Sequence, residues 1–286
     1  MKTKNLYQVP KCELKELNNL FIEMTAKNCN QHCKHCYIDF PQTKAPKDFI
    51  NIDKIKKALI DTKMENLYCI YLTGAEPMMH PDFNAILRLC LTVTNVCICT
   101  NGSFLNEKKI RFLKKVEDES DKEIIFMLPI DHYDEIKNDD IRGRGSYRQI
   151  LHAAKTLSKY SFNPIFDITN YYKEDKKTLL TKFKIVFDNL NIQVEDYNFQ
   201  VNEYFDKYSK EENFVQDYKN LDCMTGRILT EKGVYVCPFL ANDYRGRMGT
   251  DFSDYSKKVC LETPYCAICA KNKENMFSIN YKHFEN

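Results

Sequence analysis

Cys29-Asn30-Gln31-His32-Cys33-Lys34-His35-Cys36-Tyr37 follows an apolar run, Leu20-Phe21-Ile22-Glu23-Met24, that reads as a β-strand. Three cysteines this close can wrap one metal centre. With 13 cysteines in 286 residues, a chance trio at these two spacings has an expectation of roughly 0.03. Two kinds of centre fit. Zinc would need a fourth ligand, since structural zinc sites are normally closed by four Cys or His side chains, and His32 and His35 are adjacent. An iron-sulfur cluster on three cysteines would leave one iron open to another molecule, which is a catalytic arrangement.

Composition narrows the setting. The length allows one large domain plus a small appendage, and 43% hydrophobic residues is ordinary for a globular protein. A formal charge of +2 gives no global field to recruit nucleic acid or an anionic membrane. Lys54, Lys56 and Lys57 read as the solvated face of a helix. The first residues lack the apolar stretch of a secretory signal and no run approaches 18 apolar residues, so a cytoplasmic protein without a membrane partner is expected. In a reducing compartment, 13 cysteines argue for metal or redox chemistry over a disulfide framework.

Along the chain, residues 1 to 18 are polar and too short for a separate recognition domain. After the cysteine loop, Ile52, Ile55 and Leu59 recur at helical spacing behind Asn51, a candidate N-cap. Strands are expected at 67–73, 96–100, 124–130, 164–168 and 198–201, with helices at 82–92, 107–116, 146–157 and 177–187 between them. Such alternation implies a parallel sheet with right-handed crossovers, either doubly wound or a partial barrel. Residues 206–220 turn polar and read as a linker. Beyond them, 227–230 and 234–236 flank Glu231-Lys232-Gly233 as a β-hairpin.

Three further motifs carry the interpretation. Tyr71-Leu72-Thr73-Gly74-Ala75-Glu76-Pro77 closes the second strand with small residues and a carboxylate, which by itself is also an ordinary strand-to-helix turn. Thr100-Asn101-Gly102 ends the third strand. Near the C-terminal end come Cys223, Gly233, Cys237-Pro238, Cys260 and Cys266-Ala267-Ile268-Cys269, a set that zinc could also use. Cys69, Cys90, Cys97 and Cys99 lie within apolar runs and read as core. Cys12 has no interpretation from sequence.

CxxxCxxC after the first strand, with Tyr37 beside the last cysteine, resembles the signature of radical S-adenosylmethionine (radical SAM) enzymes. The resemblance implies a (β/α)6 partial TIM barrel, with chemistry at the carboxyl ends of the strands. It implies a 4Fe-4S cluster on Cys29, Cys33 and Cys36 whose open iron chelates S-adenosylmethionine. One electron then splits the sulfonium to a 5′-deoxyadenosyl radical that abstracts a hydrogen atom from the substrate. Gly74-Ala75-Glu76-Pro77 resembles the family's Gly-Gly-Glu-Pro, which holds the cofactor's amino group. Ala75 replaces the second Gly and is expected in an ordinary backbone conformation. Thr100 and Asn101 resemble a family cofactor contact, and Arg142 a residue that forks the cofactor carboxylate. Where family members often place a serine before an Asp on the fourth strand, this chain has Pro129, which offers no donor. Another group must make that contact.

The C-terminal cysteines resemble a SPASM/Twitch extension with one auxiliary 4Fe-4S cluster. The implied ligands are Cys223, Cys237, Cys266 and Cys269, with Cys260 as alternate. The implied domains are a barrel over 1–205, a linker over 206–220 and a cluster domain over 221–286 that contains the hairpin. The implied function is oxidation of a small molecule or modification of a peptide, with a flavodoxin- or ferredoxin-type electron donor. Without a leader-binding module, a small molecule is slightly favoured over a peptide maturase that forms cross-links or epimerised residues. A non-catalytic zinc module is the reading from another class.

Overall fold

Four helices begin where the sequence supplies a short acceptor side chain for the unpaired N–H groups of the first turn. Asn51 accepts from Asp53 N ahead of α1 (Ile52–Asp61), and Asn106 from Lys109 N ahead of α3 (Glu107–Asp118). Asp134 accepts from Lys137 N ahead of α4 (Glu135–Arg142), and Asp175 from Thr178 N ahead of α6 (Lys176–Asn189). The remaining helices are α2 (Phe83–Leu91), α5 (Ser146–Lys159) and α7 (Pro264–Asn272). A computed structural model describes residues 9–38, 49–62, 66–204, 218–219, 221–272 and 276–279. Most of the expected linker over 206–220 lies outside them.

The first seven strands are β1 (Lys11–Glu13), β2 (Asn19–Thr25), β3 (Cys69–Gly74), β4 (Asn95–Cys99), β5 (Ile124–Pro129), β6 (Ile165–Asn170) and β7 (Phe199–Glu203). Strands β2 to β7 pair in sequence order, all parallel, which is the expected partial barrel of six strands with helical crossovers. Side-chain alternation divides the core in two. Leu20, Ile22, Leu72, Ile98 and Phe126 face the helices, whereas Phe21, Tyr71, Cys97, Ile125 and Met127 face the barrel interior. Cys69, Cys90 and Cys97 are fully buried core residues.

The C-terminal region continues this sheet. β8 (Gly226–Thr230) runs parallel to β2 on the edge opposite β3, and β9 (Gly233–Tyr235) returns antiparallel as the hairpin. β10 (Arg247–Asp251) and β11 (Asp254–Tyr255) extend it to ten strands. β12 (Lys258–Cys260) pairs instead with β1, so the polar N-terminal segment is a strand partner of the C-terminal region. The sequence pattern did not disclose α4, α7, β1 or β10–β12. They are short, and β1 and β12 acquire an inward face only by pairing with each other.

At the end of the barrel, Phe166, Phe183, Phe187 and Phe199 lock α6 onto β6 and β7, with the Phe166 and Phe187 ring centroids 4.3 Å apart. Phe187→Ala is expected to cost ~3–5 kcal/mol through the cavity it leaves. An unchanged midpoint in urea unfolding would contradict this packing role.

Candidate cofactor and metal sites

The cysteine loop after β2 is fastened to the carboxyl ends of its neighbours by one buried carboxylate. Asp131, just past β5, has no exposed side-chain surface and lies 2.6 Å from His35 Nε2. Arg142 at the end of α4 pairs with it, Nη2 donating to Oδ1 at 3.2 Å and Nε lying 2.6 Å from Oδ2 without hydrogen-bond geometry. The Thr169 backbone N–H of β6 donates to the same Oδ1 at 2.9 Å. Against the penalty of burial, Arg142 and then His35 hold the Asp131 carboxyl well below the usual range. Arg142 Nη1 also reaches Cys33 Sγ at 3.8 Å, and Lys34 N donates to Ile141 O at 2.9 Å. Burial pushes the Cys29 and Cys33 thiols up, and Arg142 opposes this at Cys33.

A second carboxylate fixes the wall beside the loop. Glu76 is fully buried and accepts from Thr100 Oγ1 at 2.7 Å, Asn101 N at 2.8 Å and Met78 N at 3.0 Å. Burial pushes its carboxyl up while these donors oppose the shift. Asn101 then donates to Asn30 Oδ1 at 2.8 Å and approaches Cys29 Sγ at 3.7 Å. Gly74 has φ +108°, and a Cβ there would lie 2.4 Å from Thr25 O. Ala75 is absent from the residues with positive φ, in keeping with an ordinary backbone conformation, because Gly74 carries the strained turn.

These walls enclose a cavity of ≈ 1350 Å³, counted out to its open mouth. Cys33, Cys36, Tyr37, Gly74, Ala75, Thr100, Asn101 and Arg142 line it; Cys29 and Glu76 do not. Burial raises the Tyr37 hydroxyl pKa. His35, one of the two histidines that could have closed a zinc site, is engaged with Asp131. Sequence reasoning missed Asp131 as the anchor and Asp167 as a cavity group. Asp167 interrupts the buried run of β6, lines the cavity, and accepts from Asn202 Nδ2 at 2.8 Å. Burial pushes its carboxyl up to about 6 despite Arg142. A carboxylate inside an otherwise apolar strand was the available signal.

A smaller cavity of ≈ 400 Å³ lies beyond. Cys223, Cys237, Cys266 and Cys269 all line it, whereas Cys260 is exposed at the end of β12 and does not. Burial pushes Cys237 up to about 12 and raises Cys266 and Cys269. Beneath these thiols the fully buried Arg227 donates to the carbonyls of Cys223, Gly226 and Lys257, and its Nε has no hydrogen-bond partner. Among the described residues no carboxylate forms an ion pair with it, and a buried cation calls for compensating charge. Thiolates on a cluster supply that charge, so this donor set fits a metal centre. No three Cys, His, Asp or Glu side chains among the described residues close on a single-ion geometry. Thiolates of a cluster bind separate irons and need only ring its volume.

Phe239, Tyr265 and Phe277 line both cavities. Phe239 and Tyr265 stack at 4.9 Å, and Phe277 meets Phe239 edge-on at 4.7 Å. Asp222 holds the Phe277 segment by accepting from Met276 N, Phe277 N, Ser278 N and Ser278 Oγ.

A family model described as the Radical SAM superfamily matches residues 25–181, more than half of the chain. No curated protein sequence matches. Among solved structures, Streptococcus suis SuiB bound to S-adenosylmethionine is similar at TM-score 0.60 and 12% identity, over 80% of this chain and 62% of that one. SuiB bound to the precursor peptide SuiA is similar at 0.62 and 14%, over 85% and 64%. Native anSMEcpe with bound AdoMet is similar at 0.63 and 13%, over 94% and 86%. The chain thus spans less than two thirds of SuiB's length. At these identities the likeness concerns the fold.

Two outcomes test the geometry in apo protein. Asp131→Asn is expected to cost ~3–5 kcal/mol at neutral pH, because it leaves Arg142 buried without a counter-charge. The Asp131 carboxyl pKa is depressed in the fold, so its stabilisation is full above the ordinary aspartate value and fades as pH falls below about 4. Urea unfolding across pH should therefore show a flatter acid limb in the variant. Gly74→Ala is expected to cost at least ~1–3 kcal/mol from backbone strain; a wild-type midpoint would refute that.

Proposed function

Since the chain belongs to the radical SAM superfamily, we propose that it oxidises its substrate with the help of two 4Fe-4S clusters. One would sit on Cys29, Cys33 and Cys36, and an auxiliary cluster of SPASM/Twitch type on Cys223, Cys237, Cys266 and Cys269. The first, with S-adenosylmethionine bound, supplies reductive cleavage to a 5′-deoxyadenosyl radical able to take a hydrogen atom from an unactivated C–H bond.

This chain's residues do the rest. Asp131, through Arg142 and His35, keeps the cysteine loop against the strand ends. Gly74 and Ala75 keep the wall thin enough for the cofactor's amino group to approach backbone, and Glu76 sets Thr100 and Asn101 beside it. Tyr37, Phe239 and Phe277 make the cavity's apolar side, which limits water and stray C–H partners around a reactive radical. Asp167 offers a carboxyl, poised near neutrality, to a substrate hydroxyl or amine or to the proton it releases.

The observation that carries the reading is the shared wall of Phe239, Tyr265 and Phe277. This aromatic layer is common to the two cysteine-lined cavities, which favours a short route for an electron left on an oxidised substrate to an auxiliary acceptor. The division into barrel over 1–205, linker over 206–220 and cluster region over 221–286 is proposed on the same basis. The setting would be cytoplasmic, where a flavodoxin or ferredoxin supplies the electron. Among the described residues no helix is long and apolar enough to cross a membrane.

A peptide substrate is the second reading. The cavity opens at its mouth, and the SuiB structure with a precursor peptide offers a precedent for peptide access. Either way, anaerobically reconstituted protein is expected to hold about eight iron and eight sulfide and to yield 5′-deoxyadenosine on reduction with S-adenosylmethionine. Cys29→Ala/Cys33→Ala/Cys36→Ala should halve the iron and abolish cleavage. One or two zinc without labile sulfide would sink the proposal in favour of a zinc-binding protein.

A further inference from the structure

The C-terminal cavity has a fifth buried thiol beside it, contributed from the other end of the chain. Strand β1 pairs antiparallel with β12, Cys12 opposite Val259, and the alternation of side chains turns both of these inward. Cys260, the next residue on β12, faces solvent for the same reason. Cys12 is 6% exposed and packs in one apolar cluster with Leu221, Val236, Leu240, Val259 and Cys266. Its Sγ lies 3.4 Å from Cys223 Sγ, in hydrogen-bond contact.

Cys223 lines a cavity that three other thiols complete, and Cys12, outside the lining, touches Cys223, so the two sulfurs are candidates for one corner of a cluster. We propose that Cys12 is the fifth thiol of the C-terminal metal site and is interchangeable with Cys223 as the ligand at that corner. The role of spare ligand, which the sequence resemblance implied for Cys260, passes to Cys12 because pairing with β12 buries it against the site. The buried Arg227 stands behind this corner, its Nη1 donating to the Cys223 carbonyl. The N-terminal strand thereby becomes part of the metal site, and loading the site would bind the two ends of the chain together. This rests on the auxiliary-cluster reading above.

The test uses the full chain with Cys29, Cys33 and Cys36 replaced by alanine, so that only the C-terminal site reports. Parent, Cys12→Ala, Cys223→Ala, Cys237→Ala and Cys12→Ala/Cys223→Ala proteins are reconstituted anaerobically. Iron, sulfide and the low-temperature EPR signal of the reduced cluster are measured. Parent, Cys12→Ala and Cys223→Ala are expected to hold about four iron and four sulfide with cysteinate-type spectra, whereas Cys237→Ala and the double variant lose the cluster. Cys223→Ala and Cys237→Ala each remove one thiol from the same cavity, so a general folding defect would affect both alike. Equal loss or equal retention in those two variants overturns the proposal, as does a double variant that keeps its cluster. A parent without iron and sulfide overturns the auxiliary-cluster reading and this proposal with it.

Discussion

The active end of this molecule depends on the buried charge of Asp131. Three donors from three separate segments converge on it: the His35 ring from the cysteine loop, Arg142 Nη2 from α4, and the Thr169 backbone from β6. A lone carboxylate at such depth would be prohibitive, and a lone arginine likewise. Together they are tolerable only in one arrangement, and that arrangement places Cys33 beside Arg142 and the cysteine loop across the mouth of the barrel. Burial gives this ion pair its specificity. The exposed pair Lys34–Asp140 between this loop and α4 has neither partner desolvated and adds little.

Glu76 repeats the device one strand away. Its carboxylate closes the gap between the ends of β3 and β4, so that Asn101 can address both Asn30 and Cys29. The two carboxylates thus anchor opposite sides of the same loop, and both are paid for by donors that come from neighbouring strand ends. At the C-terminal site the order is inverted. There the buried group is a cation, Arg227, surrounded by carbonyls and thiols, and the missing negative charge is what a thiolate-bound centre brings. Cys223 joins the two regimes, because its carbonyl accepts from Arg227 while its sulfur faces the cavity.

Much of the barrel could be read from the chain itself. Apolar runs separated by amphipathic helices with Asn or Asp caps placed five of the six parallel strands and their helices within a few residues, and the strand before the cysteine trio completed the set. The motifs at Gly74 and Thr100 fell at strand ends, where a parallel barrel gathers them. The carboxylates were harder to assign. Glu76 and Arg142 read from sequence as cofactor contacts; the structure adds that Glu76 accepts from Thr100 and Asn101 and that Arg142 pairs with Asp131. Local sequence does not say which of several polar residues will find a partner first, since those partners lie tens of residues away.

What the sequence determined by itself was therefore the periodic and the covalent: the alternation of elements, the spacing of Cys29, Cys33 and Cys36, and the glycine that a left-handed turn at position 74 demands. What only the tertiary structure decided was adjacency across the fold. It set Cys12 against Cys223, left Cys260 in solvent, turned Asp131 into an anchor and made Phe239, Tyr265 and Phe277 the common wall of two cavities. The reason is physical. Periodicity and spacing are properties of consecutive residues, whereas desolvation and pairing depend on which distant segments share a place once the apolar surfaces have been buried.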